Sequence, residues 1–280
     1  MSDASRTIDC QAWRGDRVRG GVRMIPEEAA LALTYNGGTY AVMMGTPCDL
    51  EDFGVGFSLN AGIVDSVDAI ESLEIAPVEN GIELRMWLAP QKAARLGERR
   101  RYIAGPTGCG LCGIESIADA TEPAPIVGPG PTFSSGQILA AMSGIRALQK
   151  INADTHAVHA AAFWTQEDGI VELREDVGRH NALDKLAGAL ARGNVRVDSG
   201  MVLLTSRVSI ELVQKTATIG APLMVAISAP TTLAVRTAEA AGITLVAVAR
   251  DDGFEVFTHP RRILSGNNPN LAASAVACGK

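Results

Sequence analysis

Residues 201–253 are MVLLTSRVSIELVQKTATIGAPLMVAISAPTTLAVRTAEAAGITLVAVARDDG, in which three short apolar runs alternate with two segments of helical periodicity. The apolar runs are 201–205, 223–228 and 243–249, and the helical segments are 209–219 and 232–241. Gly220 and Gly242 follow the helical segments, at the position where helices commonly end. This order predicts parallel strands joined by right-handed crossovers, with helices over both faces of the sheet. The stretch therefore predicts an α/β fold.

Polar residues follow each of these strands. They are Thr205-Ser206-Arg207, Ser228-Ala229-Pro230 and Arg250-Asp251-Asp252-Gly253. Open parallel sheets bind ligands at the carboxyl ends of their strands. Hydroxyl groups, a helix N-terminus after Ser206 and two arginines suit a phosphate-bearing ligand. Helix capping by the serines and solvation of the arginines explain the same pattern without a ligand, so both interpretations stay open here.

The N-terminal part predicts a smaller α+β arrangement. The turn signal Asn36-Gly37-Gly38 predicts a hairpin, and a helix capped by Asp49 or Asp52 should run to about Asn60. The hairpin strands are expected at 29–35 and 39–44, further strands at 72–75 and 82–87, and a basic helix at 92–101. Glycine and proline are concentrated after Gly105, which indicates a mobile connector. The expected organisation is an N-terminal α+β part at 1–104, a mobile loop and linker at 105–131, a C-terminal α/β domain at 132–265 and a fraying tail at 266–280.

The composition indicates a globular protein of the cytoplasm. The chain has 280 residues, of which 47% are hydrophobic and 20% charged, so it can bury a sizeable core. A net charge of -6 provides no general attraction to nucleic acid or to an anionic membrane. Every apolar run is shorter than the roughly 20 residues that span a bilayer, and the N-terminus lacks a signal-peptide core. We therefore expect no nucleic-acid partner and no membrane segment.

The pair Cys109 and Cys112 is compatible with a metal half-site, a redox dithiol or a sulfur relay. A zinc site would add His156 and His159, whose spacing suits metal ligands. Thioredoxin-like exchange places its thiols at a helix N-terminus within a βαβ unit, whereas a Gly-Pro-Thr-Gly turn precedes this pair. Four nearby glycines are typical of a loop that moves, which favours the sulfur relay. The other cysteines, expected to be inert, are Cys10, Cys48 and Cys278.

A second polar segment lies at the start of a predicted helix. It is Arg174-Glu175-Asp176-Val177-Gly178-Arg179-His180-Asn181-Ala182-Leu183-Asp184-Lys185-Leu186. His180 and Asp184 are one helical turn apart, so we expect them to pair. Helix capping by Asp176 and Arg179 is one interpretation of the segment. The other is that these residues form the wall of a site.

This segment and the loop Cys109-Gly-Leu-Cys112-Gly together resemble the FdhD family, the formate dehydrogenase accessory sulfurtransferases. The resemblance implies a cytidine-deaminase-like α/β sandwich, a homodimer, and transfer of persulfide sulfur from a cysteine desulfurase to the molybdenum cofactor. It further implies that Cys109 carries the persulfide. The stretch Val248-Ala249-Arg250-Asp251-Asp252-Gly253 matches the family's segment for the guanine dinucleotide form of the cofactor, bis-molybdopterin guanine dinucleotide. This cofactor is expected as the acceptor, with no permanently bound metal.

On this basis we assign provisional roles. Cys112 would help to release the sulfur or protect Cys109 as a disulfide, and His180 would handle protons at the acceptor. The expected cofactor contacts are Arg207, Ser228, Arg250, Lys185 and the stretch 248–253. The alternative is a molybdenum-cofactor chaperone whose cysteines clamp rather than transfer. A deaminase is disfavoured, because no His-x-Glu precedes a Pro-Cys-x-x-Cys.

The chain departs from the family pattern at two places. Members of the family usually have Thr-Gly-Gly-x-His where this chain has Thr155-His156-Ala157-Val158-His159, so His156 is additional and the zinc interpretation is weaker. An aromatic residue and a cysteine are often found where this chain has Val248 and Ala249. Contacts there would be made by the backbone and Arg250.

Overall fold

The computed structural model of the protein describes residues 4–90 and 122–264. Its strands are β1 (Ser5–Arg14), β2 (Arg17–Pro26), β3 (Ala29–Tyr35), β4 (Gly38–Gly45), β5 (Ile70–Val78), β6 (Gly81–Leu88), β7 (Phe133–Ser134), β8 (His159–Thr165), β9 (Gly169–Asp176), β10 (Gly200–Leu204), β11 (Leu223–Ala226), β12 (Thr244–Arg250), β13 (Gly253–Val256) and β14 (Ile263–Leu264). Its helices are α1 (Leu50–Asn60), α2 (Ser135–Leu148), α3 (Lys150–Thr155), α4 (Arg179–Arg192), α5 (Ile210–Ile219) and α6 (Thr232–Ala241). The predicted α/β class is confirmed. Cys109, Cys112, Cys278 and the predicted basic helix at 92–101 lie outside the described residues.

The largest sheet has six strands in the order β13, β12, β11, β10, β8, β9. Strands β10, β11 and β12 are parallel neighbours, joined by α5 and α6. Both helices end at glycines with left-handed backbone, Gly220 at φ 89° and Gly242 at φ 75°. The predicted strand, helix, strand, helix, strand unit is therefore confirmed.

The two faces of this sheet are covered by different helices. Val202 and Leu204 lie in a core shared with α4, α5 and α6, whereas Met201 and Leu203 pack with α2 on the opposite face. The expectation that the crossover helices cover both faces is therefore wrong. Since β10, β11 and β12 lie side by side in chain order, their right-handed crossovers fall on one face.

The N-terminal part contains a four-stranded sheet in the order β4, β3, β6, β5. The predicted hairpin of β3 and β4 is confirmed, and its turn residues Asn36 and Gly37 have φ values of 48° and 80°. Helix α1 begins directly after Asp49, as predicted, but Asp49 has φ 51° and its side chain caps no amide. The capping mechanism predicted for Asp49 is therefore wrong, although the start of the helix was correct.

A further hairpin, β1 and β2, was not predicted. Its strands pair from Ser5 and Pro26 to Arg14 and Arg17, and most of their residues are exposed. Paired positions share a face, so the register places five arginines on one face of this ribbon. These are Arg6, Arg14, Arg17, Arg19 and Arg23. The sequence gives a weak strand signal there because arginines and the glycines at 15, 20 and 21 interrupt its apolar residues.

Helices α1 and α4 connect the N-terminal part to the large sheet. A Cβ at Gly56 of α1 would lie 1.8 Å from the carbonyl oxygen of Asp184, and one at Gly188 of α4 would lie 1.9 Å from the carbonyl oxygen of Asp52. The two backbones are therefore in direct contact at this crossing. In residues 4–90 and 122–264, no helix has the length and apolar character needed to cross a bilayer.

Candidate functional site

The candidate site lies at one end of the six-stranded sheet, which we call the carboxyl edge. Strand β8 is antiparallel to both β9 and β10, so β9 runs in the same direction as β10, β11 and β12. The carboxyl ends of these four strands therefore meet at one edge, together with the N-termini of α4, α5 and α6. Most of the polar residues predicted from the strand ends lie at this edge.

Several basic side chains lie close together at the carboxyl edge. Burial lowers the pKa of His159, and the nearby charges of Arg179 and Arg207 lower it further, although Asp176 acts in the opposite direction. His159 is therefore neutral at neutral pH, beside two permanent cations. This arrangement offers both charge and hydrogen bonds to an anion.

Helix N-termini add to this positive character. Within the described residues, the N-cap positions Gly178 of α4 and Ser209 of α5 provide no side-chain cap. The first backbone amides of both helices therefore have no side-chain acceptor at the N-cap position. Helix N-termini without such a cap can bind phosphate groups. At α6, by contrast, the hydroxyl of Thr231 accepts a hydrogen bond from the amide of Ala234.

His180 does not pair with Asp184, so that prediction is wrong. Its Nε2 atom lies 2.7 Å from Oε2 of Glu211 and 3.4 Å from Oγ of Ser209, both at the start of α5. Asp184, one turn further along α4, instead accepts hydrogen bonds from Asn60 of α1 and Lys215 of α5. Glu211 and Ser209 are thus site residues that the sequence did not reveal, because their contact with His180 is made between two helices.

The predicted cofactor stretch begins with a distorted strand. Val248 has φ 52°, which is rare for a β-branched residue, and the pairing of β12 with β13 shifts between Ala247 and Arg250. The amide of Val248 lies 3.5 Å from the carbonyl oxygen of Ser228 at the end of β11. Strain of this kind is often found at functional sites.

The remaining residues of this stretch differ in accessibility. Ala249 is buried in the core on the α2 side, so its side chain is not available to a ligand. Arg250 and Asp252 are exposed, and Asp251 pairs with Arg146 of α2 at 3.5 Å. Gly253 begins β13. Arg250 and the backbone are consequently the groups of this stretch that suit a ligand contact.

Lys185 does not lie at an accessible edge. Its side chain is 0% exposed, and its Nζ atom is 2.7 Å from Oδ2 of Asp176, which is also 0% exposed. Nζ donates a further hydrogen bond of 2.9 Å to the carbonyl oxygen of Thr46. The prediction that Lys185 contacts a phosphate is therefore wrong for this structure, because its charge is already paired in the interior.

Lys185 belongs to a set of buried groups that we call the buried polar cluster: Thr46, Asp176, Asn181, Asp184 and Lys185. Asp176 accepts hydrogen bonds from the backbone amides of Thr46 and Gly178 at 3.0 and 2.7 Å. Asn181 donates to the carbonyl oxygen of Met44 at 2.8 Å. Because Met44 is in β4 and Thr46 directly follows that strand, the cluster holds the N-terminal part against α4.

Glu175, the first acidic residue of the segment 174–186, stabilises the start of α3. Its carboxylate accepts hydrogen bonds from the amides of Ile151 and Asn152 at 2.8 and 2.9 Å. Burial raises its pKa, and these hydrogen bonds oppose that shift. Of the polar motif residues, Arg179 and His180 therefore contribute to the carboxyl edge, while most of the others stabilise the fold.

The zinc interpretation requires Cys109 and Cys112 in addition to His156 and His159. His156 is exposed and ends α3 with a left-handed backbone at φ 53°. Outside the undescribed segments, no group of three or more His, Cys, Asp or Glu side chains is arranged to hold a metal ion. The thiols that a zinc site would need, Cys109 and Cys112, lie outside the described residues.

Comparisons with known proteins agree on one family. Residues 26–264 match the FdhD/NarQ family. A sulfur carrier protein FdhD of Brucella abortus biovar 1 is 51% identical over 261 residues, which is 93% of this chain and 97% of that protein. A sulfur carrier protein FdhD of Agrobacterium fabrum is 47% identical over 260 residues, which is 92% of this chain and 96% of that protein.

A solved structure has the same fold. It comes from Desulfotalea psychrophila and is assigned as a formate dehydrogenase accessory protein. The TM-score is 0.75 at 24% sequence identity, and the alignment covers 94% of this chain and 100% of that chain.

Proposed function

The chain belongs to the FdhD/NarQ family, and from that premise we propose that it is a sulfur carrier that helps to activate a formate dehydrogenase. Its donor would be the persulfide of a cysteine desulfurase. Its acceptor would be the molybdenum cofactor in the bis-molybdopterin guanine dinucleotide form. The homodimer and the cytoplasmic location expected from the sequence stay predictions.

The observation that carries the proposal is the chemistry of the carboxyl edge. Arg179 and Arg207 lie near two helix N-termini whose N-cap residues, within the described part of the chain, provide no side-chain cap. A pyrophosphate linkage with two negative charges matches this environment. Ser228, Arg250 and the backbone of Val248 lie at the neighbouring strand ends and would extend the contact along the substrate.

The sulfur steps follow from thiol chemistry. The Cys109 thiolate attacks the outer sulfur of the donor persulfide, so a new sulfur–sulfur bond forms at Cys109 while the donor cysteine leaves as a thiolate. Attack of Cys112 on the inner sulfur of the Cys109 persulfide then releases sulfide and leaves a Cys109–Cys112 disulfide. A small thiol or a dithiol reductant restores the pair. These roles of Cys109 and Cys112 are inferred from the sequence.

Mass spectrometry tests the sulfur step. The purified protein is incubated with a cysteine desulfurase and cysteine, and its intact mass is measured. We expect the wild type to gain one sulfur atom and C109A to gain none, because Cys109 is the receiving thiol. C10A is the matched control, since Cys10 is an exposed free cysteine on the β1–β2 ribbon.

Two results would contradict the proposal. One is a wild type that gains no sulfur, and the other is a C109A variant that gains sulfur as the wild type does. If C109A supports formate dehydrogenase activity while it still binds the cofactor, the protein is instead a chaperone that holds the cofactor without transferring sulfur.

A further inference from the structure

Glu211 lies beside His180 at the carboxyl edge. The Nε2 atom of His180 is 2.7 Å from Oε2 of Glu211, and the two side chains are 14% and 18% exposed. His180 is the second residue of α4 and Glu211 the second residue of α5. The pair therefore joins two helix N-termini within the candidate site.

The partner of Nε2 determines the tautomer of the imidazole. An ionised carboxylate can only accept hydrogen bonds, so Nε2 must carry a hydrogen. In neutral His180 the lone pair then resides on Nδ1. Among the residues that the structure describes, none forms a hydrogen bond with Nδ1. Nδ1 is consequently the ring atom that can accept a proton.

We propose that Glu211 is the positioning residue of His180: its carboxylate fixes the tautomer with a basic Nδ1 and stabilises the imidazolium once Nδ1 is protonated. The use of this base rests on the proposed function, in which His180 takes up and returns the proton of the sulfur-bearing group. The His180 tautomer and its dependence on Glu211 do not rest on it.

Several charged groups surround this pair. Arg179 on α4 and Lys215 on α5 act on Glu211. Arg179, Arg207 after β10 and Asp176 at the end of β9 act on His159 of β8, and so does His180 itself. Burial by itself would raise the pKa of Glu211, but the hydrogen bond from His180 and the nearby cations outweigh it, so the pKa lies below its usual value. Glu211 is therefore ionised at neutral pH.

Nitrogen NMR of the imidazole rings tests the proposal. The chain has four histidines, and H180Q assigns the His180 signals. We expect neutral His180 of the wild type to hold its hydrogen on Nε2, and E211Q to raise the population with the hydrogen on Nδ1, because an amide can either accept from or donate to Nε2 whereas a carboxylate only accepts. E239Q is the matched control. Glu239 lies 3.6 Å from Nε2 of His259, far along the chain from the site, and is 61% exposed.

A folded E211Q protein with an unchanged His180 tautomer would overturn the proposal. If E211Q does not fold, E211D decides, since its shorter side chain moves the carboxylate away from Nε2 and should raise the Nδ1-bound population by a smaller amount. An unchanged tautomer in E211D would then overturn it.

The two half-reactions of the carrier separate positioning from simple structural support. In folded E211Q the transfer of sulfur to the cofactor should slow by at least about tenfold, whereas loading of Cys109 by the desulfurase should match the wild type, and E211D should restore the transfer in part. An unchanged rate of transfer in folded E211Q overturns the role in transfer. If the wild type takes up no sulfur, the proposed function fails, while the NMR measurement of the tautomer still decides the role of Glu211.

Discussion

The first turns of α4 face two different regions of the molecule, the buried polar cluster and the carboxyl edge. On one side Asn181 and Lys185 are almost fully buried and donate hydrogen bonds to the N-terminal part. On the other side Arg179 and His180 are partly accessible and lie beside α5. One short motif therefore supplies both the attachment of the two halves and the polar groups of the site. Substitutions on the two sides should have separable effects on stability and binding.

The largest loss of stability is expected from D176N. This change removes the charge that neutralises Lys185 in a position without solvent access, and an unpaired buried ammonium costs about 3–5 kcal/mol. Urea denaturation of D176N and wild type measures the difference. D251N is the matched control, because the Asp251 pair is exposed and should contribute less than about 1 kcal/mol. Equal stability of D176N and wild type would show that the cluster does not hold the halves together.

G188A should destabilise the protein by about 1–3 kcal/mol or more, the cost of overpacking a tight interface. The added methyl would meet the backbone of Asp52, which cannot rotate away as a side chain can. Thermal unfolding measures the loss. G144A is a suitable control, since a Cβ at Gly144 would make an ordinary contact of 3.4 Å with Ile170. Comparable losses in both variants would argue against a backbone contact at the α1–α4 crossing.

R207A should change binding and leave stability nearly intact. Arg207 is exposed at the carboxyl edge, so its removal should alter the free energy of unfolding by no more than about 0.5 kcal/mol. Loss of one charged phosphate contact should weaken GDP binding by about tenfold, which corresponds to about 1.4 kcal/mol. Calorimetric titration with GDP measures this. R261A, an exposed arginine in the turn before β14, should bind GDP as the wild type does.

The smallest effect concerns Cys48, whose Sγ atom lies 3.8 Å from Nζ of Lys185 in the buried polar cluster. Burial raises the pKa of its thiol to about 11, although Lys185 acts to lower it. The folded state therefore favours the neutral thiol, and this contribution to stability is present below the ordinary value of 9.0 and is lost as the pH rises toward about 11. Alkylation at pH 8 should be slow at Cys48 and faster at Cys10, as read by peptide mass. Rapid modification of Cys48 would show that the cluster is open to solvent.

Local signals in the sequence predicted much of the fold. Apolar runs and glycine stops within one continuous stretch predict the βαβαβ unit, and the neighbouring residues Asn36-Gly37 predict the turn between β3 and β4. The strand ends were correctly expected at one edge, since topology alone brings them together. The side of α4 that Lys185 faces could not be predicted, because a lysine paired with a buried aspartate has the same sequence pattern as an exposed one. Glu211 was missed because its partner is on another helix.

The arginine face of the β1–β2 ribbon gives the molecule an uneven charge distribution. Five arginines accompany only Asp9 and Asp16 in the ribbon, whereas the whole chain has a net charge of -6. The ribbon is therefore a positively charged, exposed arm on a chain of opposite net charge. Near an acidic surface, the resulting torque would turn the molecule so that the ribbon leads, before any contact is made. The effect should fade at ionic strengths where the screening length falls below the length of the arm.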